Sequence, residues 1–275
     1  MRRRPGRGAI ARVVKVSAAG FDLLRRPRRG IVLLLYHRVG ARSDMEIDLP
    51  TELFRRQIEL LALESRAVSL NDALVDLSHK EPPVRDPVVV TFDDGTADFI
   101  DVALPILERY EIPVTLYLAT DFIERGVPFP SGGAPLSWGA LRDASTTGLV
   151  SIGSHTHSHT LLDRLDPASV GDELDRSIAL IEDRIGVPAR DFAYPKAVAG
   201  SSFADTAVRE RFRSAALGGN RANPYGVTDP FRLSRSPVQT TDGLVWFRRK
   251  LRGGMALEES LRGMLNRHRY STATR

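Results

Sequence analysis

Short, unbroken apolar runs alternate along this chain with longer stretches whose apolar residues recur at helical spacing. The runs Ile31 to Leu35, Ala67 to Leu70, Val88 to Phe92, Pro113 to Ala119, Leu149 to Ile152 and Phe192 to Tyr194 each read as a buried strand. Between them, Leu53, Phe54, Ile58 and Leu61 hold one face of a helix from Thr51 to about Glu64. Asn71 opens a second helix, and a third spans Thr96 to Tyr110. Ser137 caps a helix from Trp138 to about Thr146. Pro167 stands at the start of a helix that runs to Ile185, where Gly186 ends it. A further helix from about Ser202 leads into Arg213 to Leu217. Pro82-Pro83 marks a loop, and the Gly- and Pro-rich stretch 124–137 reads as another.

A strand followed by a helix, repeated roughly seven times, argues a mostly parallel sheet covered by helices. No linker interrupts residues 31–244, so this stretch is expected to form one α/β domain closed as a barrel. At 275 residues, with 42% hydrophobic and 27% charged positions, the chain has ample material for a core. It contains no cysteine, which excludes disulfides, thiolate catalysis and cysteine-based zinc sites.

Charge is distributed unevenly. Residues 1–30 hold ten Lys/Arg against one acid, and residues 245–275 hold eight against two. The middle of the chain is acidic, with 21 basic and 31 acidic residues. The ends therefore read as a basic leader, 1–30, and a basic C-terminal tail, 245–275. Nucleic acid is not an expected partner, because the acidic body offers it no basic working face. Met1-Arg2-Arg3-Arg4 resembles the start of a signal peptide, but Arg12 and Lys15 break the apolar stretch that should follow. Ile10, Val13, Val14, Phe21 and Leu24 form one face of a basic amphipathic helix. Such a helix either docks on an anionic membrane surface or packs as a leader. The expected location is the cytoplasm, with peripheral contact at the inner membrane face.

In parallel α/β folds, functional groups gather at the carboxyl ends of the strands. Four polar clusters fall there: Tyr36-His37-Arg38, Asp93-Asp94, His155 to His159, and Tyr194-Pro195-Lys196. Adjacent carboxylates repel, and a bound cation removes that cost; the alternative is that one of them caps the next helix. The histidines favour the cation. Three of the chain's six fall within five residues, and His155 and His159 are four apart. That spacing places two imidazoles on one metal if the segment begins a helix or a tight turn, with His157 pointing away. Two histidines and one carboxylate leave coordination positions open, which suits catalysis, and a spare carboxylate then deprotonates water.

Thr91-Phe92-Asp93-Asp94-Gly95 with Ser154-His155-x-x-x-His159 resembles the polysaccharide deacetylase family, also called the NodB-homology carbohydrate esterases. Tyr36-His37-Arg38-Val39, Phe192-Ala193-Tyr194-Pro195 and Arg232-Leu233 resemble the branch with an N-terminal Tyr-His-Arg strand. The resemblance covers about residues 31–240. It implies a distorted seven-stranded (β/α) barrel of NodB-homology type. It implies Asp94, His155 and His159 as ligands of one divalent metal ion, usually zinc, and Asp93 as general base. Water would attack an acetamide or acetate carbonyl on an acetylated polysaccharide or oligosaccharide. A backbone N–H near Pro195 or Lys196 would help to hold the oxyanion.

Three departures stand out. Ala193 occupies the place where the family often has an arginine that pairs with the base. Lys196 replaces the usual tyrosine after the proline. The late Leu-x-His motif that supplies the general acid has no match; the only histidine after His159 is His268. His37, ending the first strand, is the candidate for the acid role, or else braces the rim. Tyr194 and Trp138 are candidates to stack on a sugar ring, or else pack in the core. Lys196 suits an acidic or phosphorylated glycan, or else is simply solvated. The expected activity is metal-dependent removal of N-acetyl, or O-acetyl, groups from a glycan. The alternative is a catalytically impaired glycan-binding relative that keeps the metal site. An unrelated barrel amidohydrolase, whose His-x-His motif His155-Thr156-His157 mimics, fits the paired aspartates poorly.

Overall fold

The computed structural model describes residues 14–20, 22, 27–64, 66–79, 82–130 and 132–258. Seven parallel strands close into a barrel in the order β1 (Val32–Tyr36), β4 (Val88–Phe92), β5 (Val114–Leu118), β6 (Val150–Ser154), β7 (Asp191–Ala193), β8 (Ser214–Gly218) and β9 (Leu233–Pro237). The short strands β2 (Arg38–Val39) and β3 (Asp48–Leu49) pair beside the rim. The barrel is uneven: β6 and β7 share a single register pair, Ser154 with Phe192, whereas β1 and β4 pair along five residues.

Register sets which side chains enter the barrel. Leu33 lies beside both Val89 and Arg235, and Tyr117 lies beside Gly153. Ala193, Ala216 and Leu233 complete that row, and with Leu33, Val89 and Tyr117 they form one buried cluster. Alternate residues face outward, where Val32, Leu34, Val90 and Leu116 meet Phe54, Ile58, Leu107 and Leu141 of the surrounding helices. The inward row pairs large residues with small ones. Tyr117 and Arg235, both fully buried, fill the space that Gly153, Ala193 and Ala216 leave.

The helices are α1 (Thr51–Glu64), α2 (Leu70–Ser78), α3 (Leu104–Arg109), α4 (Thr120–Arg125), α5 (Trp138–Ser145), α6 (Pro167–Ile185), α7 (Ser202–Arg211) and α8 (Val245–Lys250). Caps explain several boundaries. Ser137 accepts from Ala140 N, Asp166 accepts from Ala168 and Ser169, and Gly186 closes α6 in the left-handed conformation. Ser69, not Asn71, caps α2. Ala67 to Leu70 is no strand: only Ala67 bridges to Val88. The helix expected from Thr96 begins as a π-type turn, Phe99–Ala103, before α3. The start of the expected loop 124–137 belongs to α4, which Gly126 ends.

The barrel's covering layer extends past residue 244. Phe247 and Leu251 join the main core, although the basic tail was expected to start at 245. Of the apolar face expected in the leader, Ile10, Val13, Phe21 and Leu24 lie outside the described residues. Residues 14–20 are helical, and Lys15 within them is buried. Among the described residues no helix is long and apolar enough to cross a membrane.

Gly153 is the tightest point of the inward row. A Cβ there would lie 2.6 Å from Tyr117 Cδ1 and 2.7 Å from the Asp191 carbonyl oxygen. Gly153→Ala is therefore expected to destabilise the fold by about 1–3 kcal/mol through overpacking, read by denaturant unfolding.

Candidate metal centre and its paired carboxylate

The first half of the site grows from β4. Asp93 N donates to Tyr36 O at 3.1 Å, extending the strand ladder by one residue. Asp94 (φ 78°) and Gly95 (φ 95°) then turn the chain through the left-handed region. A side chain at 95 would meet Leu118 Cδ2 at 2.9 Å, so glycine is required for space as well as for φ. The turn leaves both carboxylates at the barrel mouth.

The second half grows from β6. His155 N donates to Leu118 O at 2.8 Å, which fixes the strand end against β5. Thr156 (φ 67°) and His159 (φ 61°) are left-handed, and His159 N donates to Thr156 Oγ1 at 3.0 Å. Glu173 accepts from Ser158 N at 2.8 Å and from Ser158 Oγ at 2.7 Å. A braced turn, not a helix, therefore brings His155 and His159 together, with ring centroids 4.8 Å apart. His157 faces elsewhere: its Nδ1 is 3.0 Å from Thr120 Oγ1 and its Nε2 is 3.6 Å from Asp121.

Asp94, His155 and His159 each present one donor atom, all within 4.8 Å of one another. Asp94 Oδ1 lies 3.8 Å from His155 Nε2 and 3.5 Å from His159 Nε2. Those gaps are too long for hydrogen bonds. Donors held about 2.0–2.2 Å from one tetrahedral ion sit roughly 3.3–3.6 Å apart, so the 3.5 Å gap fits and the 3.8 Å gap is slightly wider. Asp94 Oδ1 is buried and has no hydrogen-bond partner. The Ala193 carbonyl lies 2.7 Å from His155 Nδ1; it can only accept, so the proton sits on Nδ1 and the lone pair on Nε2 faces the site. Burial, with His155 alongside, holds the His159 imidazole at about 3, so it is neutral. A neutral His159 imidazole, a His155 ring oriented with Nε2 towards the site, and a carboxylate with an unfilled acceptor thus fit a divalent cation.

Asp93 is held differently. Arg235 on β9 grips both of its oxygens, Nη1 to Oδ1 at 2.6 Å and Nη2 to Oδ2 at 2.8 Å. Arg235 is fully buried, reaches Thr91 Oγ1 at 3.3 Å, and lies 5.3 Å from the Tyr117 ring centroid. Burial alone would raise the Asp93 carboxyl; the Arg235 charge, then His155, overcomes it and lowers the group to about 2. Asp93 Oδ2 stands 3.6 Å from His155 Nε2, at the edge of the ligand group. The arginine missing at Ala193 is thus supplied from another strand. Neither Arg235 nor Glu173 was singled out by sequence reasoning. A charged residue in a buried parallel strand is the signal that marks Arg235.

The remaining candidates divide. His37 follows Tyr36, which pairs with Phe92, so it stands beside Asp93 with a buried Nδ1 that has no partner. Burial lowers its pKa, against the opposing pull of Asp94 and Asp93. Lys196 is exposed at φ 55° in a turn opened by buried Pro195, and its charge acts on His159. Tyr194 is not available to a sugar. It points outward, fully buried, its ring 5.0 Å from that of Phe192 and its hydroxyl 3.2 Å from Asp205. Trp138 is half-buried against the main core, and its Nε1 donates to Glu124 at 2.7 Å.

Arg235→Met strips Asp93 of its buried partner and is expected to cost about 3–5 kcal/mol in denaturant unfolding; adding Asp93→Asn should recover more than half of it. The Asp93 carboxyl is lowered from 3.8 to about 2, so it stabilises the fold above pH ~4 and ceases to as pH falls towards 2. The stability gap between the native protein and Asp93→Asn should close over that window.

The sequence model described as polysaccharide deacetylase matches residues 80–214. The protein YxkH of Bacillus subtilis strain 168 is 23% identical over 164 residues. That alignment covers 59% of this chain and 55% of the relative, so the chain spans about half the relative's length. IcaB from Ammonifex degensii shares the fold with a TM-score of 0.71 at 24% identity, over 82% of this chain and 98% of that one. The Streptococcus pyogenes deacetylase PplD, solved in complex with acetate, does so at 0.68 and 22%, over 80% and 98%. The match to the polysaccharide deacetylase family runs from before β4 to the start of β8, and both the aspartate and the histidine motifs fall inside it.

Proposed function

We propose that this protein is a hydrolase that removes acetyl groups from a carbohydrate with the help of one divalent metal ion. The observation that carries the reading is the division of labour between neighbouring aspartates. Asp94 faces His155 and His159 with an open acceptor, while Asp93 is tied to Arg235 and stays ionised. The two imidazoles and one carboxylate suit zinc, which when bound would supply Lewis acidity to the acetyl carbonyl and lower the pKa of water.

Asp93 accepts the proton of the attacking water, most directly at Oδ2, the oxygen nearer His155. Arg235 fixes the carboxylate plane, so the base meets water in one orientation. His37, beside Asp93, passes on to the departing amine of an N-acetyl group the proton that Asp93 takes from water. An O-acetyl ester needs less help, because an alkoxide leaves more readily than an amide anion. The products are acetate and a free amine or hydroxyl on the sugar. Acetate is also the molecule bound in the S. pyogenes relative. The exposed Lys196, in the turn beside His159, suits a substrate that carries acidic groups. Arg235 also weakens the case for an inactive glycan binder, which rested partly on Ala193.

Zinc titration of the chelator-treated protein is expected to saturate near one equivalent. His155→Ala, His159→Ala and Asp94→Asn should each weaken binding by about 100-fold or more. Acetate release should be screened across acetylated glycans; Asp93→Asn should bind zinc normally but lose about 10²–10⁴-fold in turnover. Bound zinc with no acetate from any acetylated glycan would return the protein to the glycan-binding reading. His37→Ala should cost about 10²-fold on an N-acetyl substrate and under about tenfold on an aryl acetate, whose leaving group needs no proton. Equal losses on both substrates would remove His37 from the acid role.

A further inference from the structure

We infer that Glu173 on α6 is a positioning residue for the candidate metal centre: it holds the turn that carries His159 and so sets how tightly the site takes zinc. The inference rests on the metal-dependent reading above. It starts from the shape of that turn. Thr156 (φ 67°) and His159 (φ 61°) both stand in the left-handed region, which residues other than glycine occupy only when their surroundings hold them there. His159 nevertheless has to face the site. Its Nε2 lies 3.5 Å from Asp94 Oδ1, and its ring centroid lies 4.8 Å from that of His155.

Two helices hold the turn, one at each half. At the first half, Thr120 N of α4 donates to Thr156 O at 3.4 Å, and Asp121 N donates to His157 O at 2.8 Å. Glu173 holds the second half. Its Oε2 accepts from Ser158 N at 2.8 Å and its Oε1 accepts from Ser158 Oγ at 2.7 Å, immediately before His159. Ser158 Oγ also lies 2.7 Å from Thr160 Oγ1, immediately after His159. The Ser158 hydroxyl proton goes to Glu173, so this oxygen accepts from Thr160. One carboxylate thus fixes the chain on both sides of the second histidine, with charge-assisted bonds.

The same helix also grips the first histidine's neighbour. Ser177, one helical turn beyond Glu173, shares its side of α6. Its Oγ is 2.7 Å from Oγ of Ser154, the residue before His155, and Ser154 Oγ accepts from Thr156 N at 3.3 Å. Buried Val170, Leu174 and Ile181 anchor α6 to the barrel, and Asp166 caps it. A single rigid helix therefore holds the residue that precedes each of the two imidazoles. Donors arranged before the metal arrives lose little freedom on binding it, which is retained as affinity. Glu173 lies outside the donor set of Asp94, His155 and His159, so it acts through the turn.

Zinc affinity of the full-length, chelator-treated protein should be measured by competition with a chromophoric chelator. Glu173→Ala is expected to weaken binding by about 10–100-fold. Glu173→Gln keeps an acceptor for Ser158 N and can donate to Ser158 Oγ, so it should stay within about threefold of the native protein. Asp175→Ala breaks an exposed pair with Arg211 on the same helix and should leave affinity unchanged. Metal-free melting temperatures of the three variants show whether each is folded; a Glu173→Ala chain that does not fold leaves Ser158→Ala, which loses the hydroxyl bond alone, with an expected loss of about three- to tenfold. Native affinity in both Glu173→Ala and Ser158→Ala would overturn the inference. So would an equal loss in Glu173→Gln, which would make the charge and not the geometry responsible. A native protein that takes no zinc would remove the metal-dependent reading and this inference together, whereas tight native binding with indifferent variants would remove the inference alone.

Discussion

The site depends on one buried ion pair. A carboxylate enclosed in a barrel tends to take up a proton, and a protonated Asp93 could not serve the proposed reaction as its base. Arg235 reverses that tendency with two short bonds and a full positive charge. The guanidinium itself must be kept from water, and the inward row of the barrel arranges this. Small residues on β6, β7 and β8 leave room for it, the Tyr117 ring lies beside it, and Thr91 takes a further contact. The packing of the barrel interior and the chemistry at its mouth are thus parts of one constraint.

The proposed metal ligands obey a related rule. Each stands where the backbone leaves a strand through the left-handed region: Asp94 and Gly95 after β4, Thr156 and His159 after β6. Positive φ at a non-glycine residue is tolerated when the surroundings fix it. Here the Thr156 hydroxyl, the Glu173 carboxylate and the Ala119 amide, which donates to Asp94 O, do so. The donors are in place because their loops have no other comfortable shape, and the ligand spacing follows from rigid turns on rigid strands.

Much of this was legible in the amino-acid order. Strands β1, β4, β5 and β6 announce themselves because buried parallel strands are continuous apolar runs, and the clusters that end β1, β4 and β6 lie at their carboxyl ends. The paired aspartates and the histidine spacing led directly to Asp94, His155 and His159. Strand β9 was hidden for a physical reason. Leu233-Ser234-Arg235-Ser236-Pro237 is buried yet mostly polar, and its polarity is absorbed by contacts no local pattern reveals. Ser234 exchanges bonds with Asn223 and Gly219, and Arg235 finds Asp93 across the barrel. Tyr194 misled for the opposite reason. It sits one residue beyond β7, and strand alternation there turns it outward into the Phe192 and Phe212 cluster.

The origin of Arg235 has a consequence for the order in which this protein comes into being. Asp93 and its partner are separated by 142 residues, and the strand that brings Arg235 is the last to join the barrel, closing it against β1. The metal-ligand turns belong to β4 and β6, which a growing chain completes much earlier. Contacts between distant positions form late because the intervening loop must first be closed. A chain that folds in this order has Asp94, His155 and His159 on their turns before Asp93 is oriented. The proposed chemistry then waits on closure, so the same bond that aims the carboxylate also marks the barrel as finished.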